Sequence, residues 1–504
     1  MTTDAHAGRR AWIGLAVLAL PTLLVSLDTF VMVMAVPKLS AELGASSTEQ
    51  LWIMDVYGFM VAGFLVTMGA LGDRIGRRRL LLAGAAAFGA ASVLAAFSTG
   101  PAMLIAARAL LGIAGASLTP STLAMIMSLF PDPRRRASAV GLWAGCFTVG
   151  AVIGPLVGGV MLAHFWWGSV FLLGVPAMVL LLVVGPVLLP EHRDPSGSRI
   201  DLPSVALSLG AILPFVYGLK ETARDGWRPL SLAALAAGLA VGALFARRQR
   251  RLPDPLIDLS LFRGPAFSAV LVAMVANAMS SGGTMNLVAQ HFQLIDGLSP
   301  LDAGIALVPG MVAAMVGFQA APLLGRRIPP VPLIPVGLAL TVTGLLLIAQ
   351  ASGTAGLATG FAVSCLGAGP LISIGTNVVV GAVPPAKAGS AAGIAQTGNE
   401  LGYALGIAVL GSLGTAVYRH TVGLGSGPAH DSIAGAAGAS ASAMEAARHA
   451  FTTELRVVSL VAAAVMLAAA VLISVALRSL PAMGRDDQPA PVPETPEVKI
   501  PVAG

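Results

Sequence analysis

Residues 51–79 read LWIMDVYGFMVAGFLVTMGALGDRIGRRR. The first part is almost wholly apolar and long enough for a helix to cross a hydrocarbon core about 30 Å thick. The last part, from Gly69 to Arg79, holds three glycines, one acid and four arginines. A membrane span that stops abruptly on a tight basic loop cannot be part of a water-soluble domain. The rest of the chain repeats this pattern of apolar run and basic connection.

Apolar runs long enough to span lie at about 12–35, 51–71, 80–98, 102–129, 137–162, 168–189, 202–219 and 229–246. Six more follow at about 266–290, 303–324, 331–350, 355–380, 389–416 and 455–478, which makes 14. Composition agrees. Of 504 residues 56% are hydrophobic and only 11% charged, against roughly 45–50% and about 25% in soluble proteins. Length alone would suggest about three soluble domains, but the runs make one polytopic membrane protein. A soluble enzyme, a disordered chain and a secreted disulfide scaffold are excluded. Cys146 and Cys365 both lie in apolar runs, with no metal spacing and no disulfide framework. The first run, from about 11 to 36, is too long for a cleavable signal.

The net charge of +6 resides in the connections, so topology explains it and nucleic acid is not an expected partner. An even number of spans puts both termini on one side. With the N-terminus in the cytoplasm, 22 basic residues fall inside and 7, including Lys220, outside, while Arg108 lies within a span. That bias predicts cytoplasmic termini. The 26 Arg against 4 Lys, with abundant Ala and Gly, suggest a GC-rich bacterial genome. The expected organisation is a six-span bundle over 1–190, a linker with two extra spans and an amphipathic elbow over 191–264, and a second bundle over 265–480. The second bundle carries a long outer loop at 418–453, either a short helical hairpin or a flexible linker, and a Pro-rich disordered tail occupies 481–504.

Three strings carry more than hydropathy. In GALGDRIGRRR, Gly69, Gly72 and Gly76 allow a sharp turn, and Asp73 can accept hydrogen bonds from Arg74 or Arg77 across the loop. A plain positive anchor would need neither the acid nor the glycines. In the fifth span GCFTVGAVIGPLVGG, from Gly145 to Gly159, residues Gly150, Gly154 and Gly158 recur on one face for close helix packing; Gly159 follows and Pro155 can kink the helix. In the fourth span, RALLGIAGA places Arg108 about two turns from the outer end, where a guanidinium either snorkels to the surface or finds a partner.

Acids within the runs are few: Asp28, Asp55 and Glu400. A solute exchanged for protons needs a group that gains and loses a proton, and a carboxylate in a partly dry cavity suits that task. Glu400 points away from the packing face of Gly398, Gly402 and Gly406, hence towards a cavity. Asp28 lies in the outer half of the first bundle, within pairing range of Arg108. Asp55 is one turn from the outer end, where simple solvation competes with a role. Exchange of one proton for one monovalent cation uses only the pH gradient, about 1.4 kcal/mol per unit. A second proton, on Asp28 beside Glu400, would add roughly 2.3 kcal/mol per 100 mV of membrane potential. Phe30, Tyr57, Trp143, Phe147, Phe292 and Tyr403 are candidate apolar walls, and Asn286 and Gln290 candidate polar contacts.

These strings resemble the major facilitator superfamily. GALGDRIGRRR is similar to its loop signature between spans 2 and 3, RALLGIAGA to its fourth-span signature with Leu111 in place of Gln, and GPLVGG to its antiporter signature. LDTFVMVMAVP (27–37), QHFQLIDGLSPLDAGIALVPG (290–310) and NELGYALGIAVLG (399–411) resemble the fourteen-span drug:proton antiporters of the quaternary-ammonium and dye exporter type. The second half holds only a degenerate loop counterpart, LLGRRIPP at 323–330, and the tenth span carries its one acid, Asp302, at the outer mouth, which argues against a dicationic preference.

The resemblance implies an all-α fold of two six-helix bundles around a central cavity with two extra helices between them, working by alternating access. It implies proton-driven export of lipophilic cations, dyes or antibiotics across a bacterial cytoplasmic membrane; a dedicated exporter of one endogenous antibiotic or metabolite is the alternative. The expected energy source is the proton gradient, with no cofactor, no metal and no enzymatic activity, since nucleotide loops and catalytic clusters are missing. Small-molecule drugs, protons and membrane lipids are the expected partners of a monomer.

Overall fold

Backbone N–H and C=O groups in hydrocarbon must be satisfied within their own segment, and in the computed structural model every apolar run is helical. The structure describes residues 2–130, 132–191, 201–252, 255, 259, 261–325, 330–381, 388–423, 427–436 and 440–478. The helices are α1 (Thr2–Leu43), α2 (Ser47–Ile75), α3 (Arg77–Ala96), α4 (Pro101–Leu129), α5 (Pro133–His164), α6 (Ser169–Leu172), α7 (Gly174–Leu188), α8 (Leu202–Asp225) and α9 (Pro229–Gln249). Then come α10 (Pro265–Leu294), α11 (Pro300–Gly325), α12 (Pro330–Gln350), α13 (Thr354–Gly381), α14 (Ala388–Val422), α15 (Pro428–Asp431) and α16 (Ala441–Arg478). With α6 and α7 taken as one span, 14 segments are long and apolar enough to cross a membrane, and no strand occurs among the described residues.

Local chemistry sets several boundaries. Ser46 and Glu49 form a reciprocal cap at the start of α2, the Ser46 hydroxyl accepting from the Glu49 N–H and the Glu49 carboxylate accepting from the Ser46 N–H at 2.9 Å. At its other end Gly76 adopts φ +110°, a conformation a side chain would strain, so α2 stops and α3 starts with no intervening loop. Asp132 caps α5 and Asp201 caps α8, each followed by Pro within the first turn.

In the first bundle α1 packs along α5, α2 along α4, and α3 between α4 and α7. In the second, α13 packs on α11 and α12, α10 on α14, and α16 on α10, α12 and α14. The bundles meet along two seams, α2 against α14 and α5 against α11. The linker helices α8 and α9 form a hairpin, and α8 alone reaches the seam, touching both α2 and α14.

Two boundaries differ from the hydropathy reading. Helix α8 continues to Asp225, past the apolar limit at 219, so Lys220 is inside a helix and buried rather than in a loop. Helix α16 begins at Ala441, not 455, which turns the end of the 418–453 connection into helix. The described rest of that connection is the end of α14, α15 and a 3₁₀ turn at Ala434–Ala436. Most of the elbow after α9, residues 326–329 of the 323–330 loop, Arg193, Arg199, Lys387 and the tail 481–504 lie outside the described residues.

Contacts across the seams are tightest at the end away from the basic loops. A Cβ on Gly159 of α5 would lie 2.6 Å from Leu301 Cα of α11, and one on Gly411 of α14 would lie 2.5 Å from Leu51 of α2. Towards the basic end, Cβ atoms on Gly141 and Gly145 of α5, or on Gly393 of α14, would meet nothing within 4 Å among the described residues. The helices therefore converge at one end and leave those faces free at the other.

Candidate functional site

Arg108 is brought into the interior by α4, whose Gly112 and Gly115 let that helix lie against Tyr57 of α2. The guanidinium is buried and paired. Its Nη1 donates to Asp28 Oδ2 of α1 at 2.5 Å, its Nε donates to the Ile53 carbonyl at 3.1 Å, and its Cζ lies 4.7 Å from the Tyr57 ring centroid. Pairing, not snorkelling, is how this charge is accommodated. A cavity of about 20 Å³, room for about one water molecule, adjoins Asp28 and is closed by Phe88 and Phe171.

The fifth-span glycines hold α1 in place. Cβ atoms on Gly150 and Gly154 would lie 2.8 Å from Ser26 Cβ and 2.7 Å from Phe30 Cβ, and one on Gly158 would lie 3.2 Å from Val31. Ser26 Oγ donates to the Phe147 carbonyl at 2.7 Å across the same contact. The Pro155 carbonyl instead faces Gly304 of α11, so this string serves both the α1 contact and the seam.

Glu400 sits on α14 where that helix meets α2, the Glu400 carbonyl lying 3.6 Å from where Gly58 would carry a Cβ. Its carboxylate is half-buried and accepts from Gln396 Nε2 at 2.9 Å. Among the described residues it has no cationic partner. The Tyr57 hydroxyl is buried and has no hydrogen-bond partner among the described residues. Tyr57 lies against Arg108, and Gly58 beside it in the chain meets the Glu400 backbone, so one stretch of α2 adjoins both the Asp28–Arg108 pair and the Glu400 turn of α14.

The fourth, Asp55, faces elsewhere. Its Oδ2 is 2.7 Å from Lys220 Nζ of α8, with both side chains fully buried, and Lys220 Nζ lies 3.9 Å over the Trp52 ring. Interfacial solvation of Asp55, one of the two readings of the sequence, is thereby replaced by a buried ion pair. The signal for Lys220 was present as spacing: Leu209, Leu213, Val216 and Lys220 share one face of α8, and Leu209 packs at Gly63 of α2.

In the first basic loop, Asp73 Oδ1 meets Arg77 Nη2 at 2.6 Å, one helical turn on and across the Gly76 junction. Gly72 is buried against the Arg77 stem and Leu80, while Arg74 is exposed. Gly69 faces Pro120 of α4. Arg78 donates to the Leu189 carbonyl at 3.0 Å at the end of α7. Of the candidate walls, Phe292 is buried, Phe147 is exposed, Trp143 donates to Thr122 at 3.2 Å, and Tyr403 donates weakly to the Met285 sulfur. Ser299 caps the helix that carries Asp302, its hydroxyl accepting from the Asp302 N–H and donating to the Asp302 carboxylate.

An all-helical chain of two bundles joined by a helix hairpin, with charges buried within its membrane spans, has the architecture of a transporter rather than an enzyme. The sequence profile of the Major Facilitator Superfamily matches residues 18–407, and the chain belongs to that family. It is 41% identical to the multidrug efflux pump LfrA of Mycolicibacterium smegmatis, over 93% of this chain and 97% of that one. It is 36% identical to the methyl viologen resistance protein SmvA of Salmonella typhimurium, over 88% and 93% of the two chains. Among solved structures, a bacterial homologue of the lysosomal transporter Spinster, inward-facing and occupied, shares the fold with a TM-score of 0.65 at 17% identity, over 94% and 97% of the chains.

Proposed function

We propose that this protein exports lipophilic cationic drugs from the bacterial cytoplasm in exchange for protons, with Glu400 as the group that alternately carries the proton and faces the cation. The observation that carries this reading is the distribution of counter-ions. Asp55 is neutralised by Lys220 and Asp28 by Arg108. Glu400 has only an amide donor and keeps partial solvent access. An exchange site has to be free of a permanent cation, and of the three acids foreseen as candidates Glu400 alone meets that condition.

The Asp28–Arg108 pair then acts as the responsive partner. A cation drawn towards Glu400 and Tyr57 competes with Arg108 for the local negative charge, and Tyr57 offers it a ring face. Asp55 we assign to fixing α8 against α2. The basic end is the cytoplasmic end on this reading, and the separation of α5 and α14 from their neighbours there gives a substrate its way in. The names of LfrA and SmvA, an efflux pump and a resistance protein, support drugs as the cargo.

The test is substrate-triggered proton movement in proteoliposomes containing a pH-sensitive dye. Ethidium, methyl viologen and a neutral antibiotic would be added separately to wild type and to Glu400→Gln. The expected result is proton release on adding ethidium, lost in Glu400→Gln. Equal signals from the two proteins would remove Glu400 from the mechanism, and a response confined to the neutral antibiotic would overturn the cationic cargo.

A further inference from the structure

We propose that Glu454 of α16 is a second proton-binding carboxylate, seated in a water-sized chamber beneath the closed end of the transporter. The proposal rests on the reading of the chain as a proton-coupled exporter and extends it to a residue that the acids of the apolar runs did not include.

The chamber lies between the bundles, walled by Leu51 and Met54 of α2, Asn286 and Gln290 of α10, and Phe451 and Glu454 of α16. The connector residues Asp431–Ile433 also line it. Its volume is about 50 Å³, room for a few water molecules at ~10–15 Å³ each and far too little for a drug. The Glu454 side chain is buried to 8% exposure and sits 14 residues inside a helix. It has no hydrogen-bond or ion-pair partner among the described residues. Gly414 of α14 makes space for it, since a Cβ there would collide with the carboxylate. Asn286, 6% exposed, presents an Oδ1 without a donor to the same chamber.

Two buried acceptors therefore share one small space, and although Ser47, Gln290 and Thr415 also line it, neither acceptor has a hydrogen-bond donor among the described residues. Such a site is completed by a donor or a cation, and the volume admits only a proton, with its water, or a bare small cation. The neighbouring charges are already committed. On α14, Arg419 pairs with Asp431 of α15, and the Tyr418 hydroxyl donates to the Ala429 carbonyl, while His420 is exposed. On α10, His291 faces Asp296 at 3.6 Å. His430 of α15 is half-buried. Helix α12 brings no titratable group, and Glu49 of α2 is held in its cap by Ser46. On α16 itself Glu445, Arg448, His449 and Arg456, the ionisable side chains within three turns of Glu454, are not part of the chamber wall. No resident cation balances Glu454, so the carboxylate holds a proton in this closed-end state, one that it takes up from the outer side when that end is open and that leaves towards the cytoplasm later in the cycle.

The experiment uses the purified full chain in lipid nanodiscs and in proteoliposomes. Acid-induced infrared difference spectra report the C=O band of a protonated carboxyl without any transport. Wild type is expected to show a band that Glu454→Gln lacks, unchanged when sodium replaces choline in the buffer. Glu454→Asp, which keeps the acid should the amide variant fold poorly, shifts that band rather than removing it. In vesicles, Glu454→Gln is expected to retain ethidium exchange without a gradient but to lose at least tenfold in gradient-driven accumulation. A wild-type spectrum lacking the band, or a band that sodium abolishes, overturns the proposal. So does full accumulation by Glu454→Gln. Wild type without proton-driven transport but with the band intact would refute the exporter reading and leave the protonation site standing.

Discussion

Replacing Lys220 by Met removes one half of a fully buried ion pair and leaves the other half in place. At the observed 2.7 Å separation, two unit charges attract by about 6 kcal/mol at an effective dielectric constant of ~20. Desolvating each ion costs several kcal/mol, so the pair itself is close to break-even. The asymmetry lies in breaking it. Asp55 is buried to 1% exposure, and stranding it without its cation costs roughly 3–5 kcal/mol. Asp55→Asn, which strands Lys220 instead, is expected to cost about as much. The double variant Asp55→Asn/Lys220→Met carries no charge there and should recover most of the loss. Reversible unfolding in mixed detergent micelles, run as a double-mutant cycle, gives an expected coupling of about 3 kcal/mol. A coupling within ~0.5 kcal/mol of zero, or single variants as stable as wild type, would refute the account of α8 as a helix pinned by charge.

Other outcomes follow from geometry already described. Gly154→Val would drive a branched side chain into Phe30, costing about 1–3 kcal/mol and lowering the folded yield on size-exclusion chromatography; an unchanged yield would contradict the α1–α5 contact. Gly159→Ala would press on the α11 backbone at Leu301, so spin labels at His164 and Leu298, in a background without Cys146 and Cys365, should report a wider closed end than in wild type. Asp73→Asn removes the charge from the 2.6 Å contact with Arg77; slower gradient-driven transport with unaltered substrate binding is expected, and unchanged transport would show the contact to be incidental. Partial burial raises the Asp201 carboxyl, but hydrogen bonds from Ser204 and Arg248 and the Arg248 charge outweigh it and hold the group below its ordinary 3.8. A folded value below the unfolded one means that its contribution is complete above the unfolded value and lost as pH falls through the folded one. Asp201→Asn should therefore flatten the acid limb of the stability–pH curve, and an unaltered limb would count against the α8 cap.

The spans were legible because a helix in lipid has to be apolar over about 20 residues, and 14 runs in the sequence became 14 helices. The Asp28–Arg108 contact was legible for a related reason: a charge in hydrocarbon needs a partner, and few were on offer. Lys220 and Glu454 escaped because hydropathy marks where lipid begins, not where a helix does. In α8 the run stops at Leu219, yet the helix carries Lys220 one residue further on its buried face. In α16, Ala447, Ala450, Phe451, Glu454, Leu455 and Val458 are buried at helical spacing, so the 3.6-residue period ran ahead of the apolar run and was the available signal. Which seam Asp55 faces was beyond any single-segment reading, because it depends on where the linker hairpin docks.

That docking has a consequence for the lipid. Helix α8 lies over the α2–α14 junction and α9 lies over α8, whereas among the described residues the α5–α11 junction has no such covering. The two faces on which the bundles meet thereby become a front and a back. An amphiphile dissolved in the surrounding leaflet would meet a sheathed wall at one junction and an uncovered joint at the other.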